Sequence, residues 1–219
     1  MTPLFLAAVN NPVKRINTLI SRGEGEMLDF KKEISSVHRI AKSIVAFANH
    51  HGGTLLVGVN DNGTISGVKA EEEKFMLAES SQKCCDPPID LVIHEWNIKG
   101  KIVLEVIVPD GYEKPYYAID EKGKGWVYIR HADQCLLASK IVVEVLKRRH
   151  GSKQTLIVYS DMEKALLEYL SVHSKITLKE YCKLMNISRW RAMKILVNLI
   201  SVGVLNVFNT EEPEFYTLA

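Results

Sequence analysis

Residues 44–59 of the chain read IVAFANHHGGTLLVGV, and this stretch predicts a helix, a tight turn and a strand in direct succession. Its first part carries apolar side chains at helical spacing. Gly52 and Gly53 follow, and a tight turn at this point favours glycine because it requires a positive φ. The β-rich run at 54–59 is almost continuously apolar, which is typical of a strand buried on both faces. The stretch therefore predicts the centre of a domain that combines helices with a buried strand.

Further elements are predicted on both sides of this stretch from capping residues, turn residues and apolar periodicity. Before it, they are a helix from Asn11-Pro12 to Gly23, a strand at 27–31 and a helix cap at Ser35 or Ser36. After it, they are a turn at 60–63 with a return strand at 64–68, a helix at 70–84, a hairpin of strands at 89–98 and 101–108, a strand pair at 116–119 and 126–130, and a helix at 138–150. This order predicts an α+β fold with a mixed, mostly antiparallel sheet and flanking helices.

The composition excludes several classes of protein. Hydrophobic residues make up 47% of the 219 residues and charged residues 25%, which is typical of a globular protein. Because the net charge is only +2, any basic surface must be local. The longest apolar run near the start is residues 3–9, whereas a membrane span needs about 20 residues. No basic segment precedes that run, as one would in a signal peptide.

The four cysteines indicate the cellular compartment. Cys84 and Cys85 are adjacent, Cys135 and Cys182 are isolated, and no C-x-x-C spacing offers a zinc site. This pattern predicts reduced, packed thiols rather than a disulfide framework. We therefore expect a cytoplasmic protein without a membrane partner.

The last third of the chain predicts a small winged-helix domain. The segment 151–160 separates it as a linker, so the predicted domains are 1–150 and 161–219. Thr177 and Glu180 form a capping box, and Asn186-Ile187-Ser188 is the turn between two helices. Gly203 ends the second helix, and two short strands at 204–208 and 215–218 follow as a wing.

The second helix of this domain is the predicted DNA-recognition helix. Its outward face carries the polar residues Arg189, Arg191, Lys194 and Asn198. A recognition helix enters the major groove, where arginine binds both guanine edges and phosphates. No acidic residue lies between Glu180 and Glu211, which favours contact with DNA. The alternative is a winged helix used for dimerisation or domain packing, with solvated charges.

Two further predictions concern the DNA partner. The cluster Lys147-Arg148-Arg149 at the end of the first domain is a second candidate nucleic-acid surface, although cations at a helix C-terminus also stabilise the helix itself. A homodimer is expected because winged-helix regulators usually contact two half-sites.

Three stretches together resemble the Schlafen/AlbA_2 family over roughly residues 12–150. Residues 24–31 resemble the family's Glu-x4-Glu-Phe-Lys, with Asp29 in place of the second Glu. Residues 44–68 resemble its Ala-Phe-Ala-Asn-x-x-Gly-Gly stretch and the turn that follows. The third stretch is residues 115–117 together with 127–130, where the family continues as Arg-x-Gly-Ser and this chain continues from Arg130 as His-Ala-Asp.

The resemblance implies binding of DNA or RNA, and it offers an enzymatic alternative. Nuclease members of the family use three acids with Mg²⁺ or Mn²⁺. Glu24 and Asp29 match the first two, but the third falls on Asn60, with Asp61 beside it. Since a divalent ion prefers several carboxylate oxygens, we expect a transcriptional regulator rather than a nuclease using Glu24, Asp29 and Asp61.

A second alternative is a module that binds ATP or another nucleotide. Its candidate residues are Asn49, Gly52 and Gly53, although Asn49 also suits a helix cap. The glycines do not form a P-loop, because no Gly-Lys-Ser/Thr follows them. Four cations that lie near the first family motif are predicted to line a phosphate-facing surface: Lys31, Lys32, Arg39 and Lys42.

Overall fold

The computed structural model describes residues 11–150, 160–209 and 213–219, which divide into two compact units. The N-terminal unit comprises residues 11–111 and 116–135. The C-terminal unit comprises residues 112–115 and the described residues from 136 onward. The predicted linker at 151–160 lies outside the described residues except for its last position.

The N-terminal unit contains three helices and most of the strands. Its helices are α1 (Pro12–Arg22), α2 (Val37–Asn49) and α3 (Ala70–Lys83). Its strands are β1 (Leu28–Lys31), β2 (Gly53–Val57), β3 (Cys85–Asp86), β4 (Val92–Ile98), β5 (Lys101–Val108), β6 (Tyr117–Ile119), β7 (Gly125–Trp126) and β8 (Tyr128–His131). A ninth strand, β9 (Gln134–Leu137), begins in this unit and runs into the next one.

The main sheet has the strand order β1-β2-β5-β4. β1 is parallel to β2, and the other two pairs are antiparallel. The expected α+β fold with a mixed, mostly antiparallel sheet is therefore confirmed. β2 is central, and its alternate residues enter two different cores: Leu55 and Val57 pack with α2, whereas Leu56 packs with Ile16 of α1. The prediction of a strand buried on both faces is confirmed.

The turn between α2 and β2 shows why two glycines occur there. Gly52 has φ 73°, and a Cβ at this position would lie 2.7 Å from the carbonyl oxygen of Val108. A Cβ on Gly53 would overlap the ring of Phe47. Both glycines therefore allow a close approach of backbone and side chains that a larger residue would block.

Two predicted strands differ in the structure. Residues 64–68 do not form a return strand and make only a single bridge, between Val59 and Ile65. The reason is that β2 is already paired on both edges, by β1 and β5, so no free edge is left for a hairpin partner. The predicted strand at 126–130 is divided between β7, which pairs with β6, and β8, which belongs to a separate two-stranded sheet.

The C-terminal unit has four helices and a three-stranded antiparallel sheet among its described residues. Its elements are α4 (Lys140–His150), α5 (Asp161–Val172), β10 (Ile176–Thr177), α6 (Leu178–Met185), α7 (Arg189–Ser201), β11 (Leu205–Phe208) and β12 (Phe215–Leu218). The strand order is β10-β12-β11. Leu166, Tyr181, Leu196 and Tyr216 form the fully buried centre of its core.

One helix belongs to a different unit from the one expected. The sequence places the helix at 138–150 at the end of the first domain, whereas α4 lies in the C-terminal unit. Ile141 and Val145 join the core formed by α5, α6 and α7. Arg149 Nη2 also donates a hydrogen bond to the carbonyl of Ile200 in α7, at 3.1 Å.

The helix caps of the C-terminal unit follow the sequence. Thr177 accepts a hydrogen bond from Glu180 N, and the Glu180 carboxylate accepts from Thr177 N at 2.8 Å, so the predicted capping box is confirmed. Asn186 adopts the left-handed conformation in the turn, and Ser188 caps α7. None of the helices in the described ranges has the length and apolar character that crossing a bilayer requires.

Candidate nucleic-acid interface and family motif

Helix α7 has one polar, exposed face and one buried face. Arg189, Arg191 and Lys194 are exposed, whereas Ile195 and Leu199 lie in the core of the C-terminal unit. The apolar spacing fixes this division, because residues that are three or four apart share one side of a helix. The cations that the sequence placed on the outward face are therefore on the surface.

A groove beside α7 brings three of the four predicted residues together. Arg191, Lys194 and Asn198 line it, along with Trp190. The far wall is the start of α5, with Ser160, Met162 and Glu163. The Glu163 carboxylate accepts a hydrogen bond from Ser160 N at 3.1 Å within the capping box of α5. This carboxylate is therefore hydrogen-bonded within the C-terminal unit.

Trp190 is a further residue of this groove that was not predicted from the sequence. Its side chain is 72% exposed, and the Lys194 ammonium lies 5.4 Å from the centroid of its ring. An exposed tryptophan offers a large apolar surface with a polar N–H, a combination that is common at interfaces. Trp190 could have been predicted from the sequence, because it lies one helical turn before Lys194 and therefore on the polar face.

The basic cluster at the end of α4 is arranged differently from the face of α7. Lys147 forms an ion pair with Glu144 at 2.8 Å, and Arg148 is half-buried. Arg149 donates to Ile200 O in the last turn of α7, where a cation stabilises the helix end. Two of these three predicted nucleic-acid residues thus have contacts within the C-terminal unit.

The first family motif is built around a buried carboxylate. Asp29 is only 3% exposed, and its Oδ1 accepts a hydrogen bond from Arg130 Nη2 at 3.2 Å. Its Oδ2 lies 2.5 Å from Lys31 Nζ. Two cations therefore compensate this charge inside the N-terminal unit.

Glu24 lies next to Asp29 in the same motif. Partial burial raises the pKa of Glu24, and the neighbouring Asp29 carboxylate adds to the increase. The hydrogen bond from Phe30 N to Glu24 Oε1, at 2.7 Å, acts in the opposite direction, because it favours the charged form. The two acids of the motif are thus brought together, as the resemblance implied.

Arg130, in the third family stretch, has a role that was not predicted from the sequence. It is 4% exposed and donates to the carbonyl oxygens of Gly25, at 3.0 Å, and Leu28, at 3.3 Å, as well as to Asp29. Its guanidinium carbon lies 4.8 Å from the centroid of the Phe47 ring. Arg130 therefore fixes the segment that carries Glu24 and Asp29. The sequence feature that could have indicated this role is the position of Arg130 in the third family stretch.

The third acid of the enzymatic alternative does not join the other two. Asp61 is exposed in the turn after β2, where Asn60 Nδ2 donates to Thr64 Oγ1 at 2.8 Å. Within residues 11–150, 160–209 and 213–219, no three His, Cys, Asp or Glu side chains form a group that could hold a metal ion. The residues present therefore do not fit the three-acid metal site that the resemblance to nuclease members implies.

We accordingly expect little or no cleavage when the protein is incubated with single-stranded RNA or DNA and Mg²⁺ or Mn²⁺. The physical reason is that Glu24 and Asp29 alone supply too few ligands for a hard cation, and Asp29 is already paired with cations. Cleavage is measured on end-labelled strands. Robust cleavage that Glu24→Ala or Asp29→Ala abolishes would contradict this expectation.

The candidate nucleotide-binding residues have structural contacts. Both N–H donors of the Asn49 amide are used: Nδ2 donates to the carbonyl oxygens of Tyr116, at 2.9 Å, and Tyr128, at 3.0 Å. Its Oδ1 accepts from Tyr116 N at 2.8 Å. Asn49 therefore joins the end of α2 to two later segments of the same unit. Gly52 and Gly53 are needed for the close approaches in the turn described above.

Comparison with known proteins gives a family match and several structural neighbours, of which two are described. The model of the family Schlafen, AlbA_2 matches residues 24–139. The DIP2311 protein from Corynebacterium diphtheriae is 18% identical with a TM-score of 0.48, and the match covers 74% of this chain and 37% of that chain. The N-terminal domain of a RecG-related protein from Nitrosomonas europaea is 20% identical with a TM-score of 0.43, and the match covers 70% of this chain and 97% of that one.

Proposed function

The chain belongs to the Schlafen, AlbA_2 family, and from this premise we propose that it is a DNA-binding transcriptional regulator whose C-terminal unit binds DNA as a winged helix. The observation that carries the proposal is the exposed face of α7. Arg191 and Lys194 lie on it, Arg189 is exposed at the first position of the helix, and the opposite side of α7 is buried in the core.

The element order supports a winged helix. After α4, the C-terminal unit runs helix, strand, helix, helix, strand, strand, and the short β10 pairs with β12 rather than with its neighbour in sequence. The left-handed Asn186 gives a sharp turn between α6 and α7. In such a unit α7 is the second helix of a helix-turn-helix and the one that enters the major groove.

The dimensions and chemistry of α7 suit the major groove. A helix of 13 residues is roughly 20 Å long, and the groove is about 12 Å wide, enough to admit it. Arginine can bind guanine O6 and N7 with two hydrogen bonds, and Asn198 can do the same at adenine N6 and N7. Trp190 can pack against a thymine methyl group or the sugar edge. A homodimer that contacts two half-sites is part of this proposal.

The test is the salt dependence of binding to labelled duplex DNA. If three cations of α7 contact phosphates, log K should fall against log[salt] with a slope of about −2.7, a loss of roughly 40-fold between 50 and 200 mM salt. Fluorescence anisotropy at several salt concentrations measures this slope. An affinity that stays constant over the range would show that no phosphate contacts are made, and the proposal would fail.

A further inference from the structure

A second candidate site lies entirely within the N-terminal unit, in a cleft between the first turns of α2 and the strands β6 to β8. Its cationic and aromatic lining residues are Arg39, Lys42, Lys122, Trp126 and Tyr128. His38 closes one wall, because its Nδ1 lies 2.9 Å from the carbonyl of Ile119 in β6. A carbonyl only accepts, so Nδ1 carries the proton in this contact.

The cations of the cleft are available to an anion from solvent. Arg39 and Lys42 are exposed and lie one helical turn apart on α2, so they point to the same side. Lys122 is exposed in the turn between β6 and β7, across the cleft. Three positive side chains from two segments therefore converge on one concave surface.

The lining of the cleft also includes two acids, Asp120 and Glu121, so its three cations exceed its acids by one. Asp120 accepts hydrogen bonds from Lys122 N and Lys124 N, both at 2.9 Å, and from Trp126 Nε1 at 2.9 Å. These bonds lower the pKa of Asp120, with the bond from Trp126 as the largest cause. The Asp120 carboxylate therefore keeps its negative charge while it holds the turn, and Glu121 is a second, exposed acid at the same turn.

The aromatic side chains of the cleft are held in place. The bond from Trp126 Nε1 to Asp120 fixes the indole, and Lys124 Nζ lies 3.7 Å from its ring centroid on one face. A base can therefore stack only on the opposite face of the indole. The ammonium of Lys42 lies 5.5 Å from the ring centroid of Tyr128, so cation and aromatic ring adjoin.

We propose that this cleft binds an unpaired nucleotide, with its phosphate at Arg39, Lys42 and Lys122 and its base stacked on Trp126. Cations beside ordered aromatic rings are the combination that binds single strands, because every base has a face that can stack. A base inside a duplex is not accessible to such a ring. The unpaired nucleotide is either part of a single strand or free in solution.

The experiment measures binding of the full chain to a labelled ten-nucleotide dT strand, to a strand of equal length without bases, and to ATP as a competitor. Arg39→Ala combined with Lys42→Ala should weaken dT binding at least tenfold and leave duplex binding within twofold. The matched control is Lys69→Ala with Lys83→Ala, which removes two exposed cations at the ends of α3 in the same unit and should change dT binding less than twofold.

Stacking is tested separately from charge. Trp126→Ala should weaken dT binding at least fivefold, and Trp126→Phe, which keeps a ring but loses the bond to Asp120, should stay within twofold. The strand without bases should bind the wild type as weakly as dT binds Trp126→Ala. If the alanine variant does not fold, the phenylalanine variant and the strand without bases still test whether base stacking contributes to binding.

Competition identifies the source of the nucleotide. Displacement of dT by ATP supports a site for free nucleotides, and its absence, with dT binding intact, supports a site for strands. The inference is overturned if the Arg39 and Lys42 variant binds dT normally, if the α3 control pair weakens dT binding equally, or if duplex binding falls in parallel. A loss of duplex binding confined to variants of α7 concerns only the proposed function.

Discussion

Replacement of Arg130 by Met is expected to lower the free energy of unfolding of the N-terminal unit by about 3–5 kcal/mol. Methionine is similar in length and can still pack on Phe47, so the change removes mainly charge and hydrogen bonds. Asp29, which is 3% exposed, would be left buried with Lys31 as its remaining cation. The carbonyls of Gly25 and Leu28 would lose donors as well.

The measurement is urea unfolding followed by tryptophan fluorescence in a Trp190→Phe background. In that background the two remaining tryptophans, Trp96 and Trp126, both lie in the N-terminal unit. The exposed Arg39→Met is the matched control and should change stability by less than about 0.5 kcal/mol.

A double variant separates the ion pair from packing. Asp29→Asn combined with Arg130→Met should lose less stability than the sum of the two single changes, because the carboxylate that needs a partner is gone. Equal stability of the Arg130→Met variant and the wild type would show that Arg130 does not hold the family motif together.

The helices and helix caps that depend on local interactions were predicted best from the sequence. The helix α7, its Ser188 cap and the capping box of α6 all depend on residues within four positions of each other. The strand at the centre of the sheet was predictable because burying a continuous run of apolar side chains is favourable. Its partners were not, and the return strand expected at 64–68 failed because β1 and β5 occupy both edges of β2.

The candidate sites show the same limit. Arg130 contacts Asp29 across 101 positions of sequence, so its role could be inferred only from the family stretch that contains it. The cleft combines Arg39 and Lys42, which the sequence analysis named, with Trp126, which it did not, because only the folded chain brings β7 to α2. The sequence also could not show which unit α4 belongs to, because its apolar helical pattern is the same whichever unit it packs with.

Changing Arg189 and Arg191 together to Ala is expected to weaken binding to duplex DNA at least tenfold, equivalent to roughly 1.4 kcal/mol. Both side chains are exposed, so thermal stability should stay within about 0.5 kcal/mol of the wild type. The salt slope should become shallower by about 2, since each lost phosphate contact reduces it by about 1. A lost guanine contact would instead cost about 1–3 kcal/mol and relax specificity at one base pair.

The comparison that decides between surfaces is Lys147→Ala with Arg148→Ala. It removes the same number of positive charges from the same unit, so general electrostatic attraction falls equally in both variants. If α7 enters the groove, only the Arg189 and Arg191 pair should reduce both affinity and salt slope strongly. If the α4 pair abolishes binding and the α7 pair leaves it unchanged, α7 is a packing or dimerisation surface. The duplex would then contact the end of α4, because removing the positive charges of Lys147 and Arg148 would be what abolishes binding.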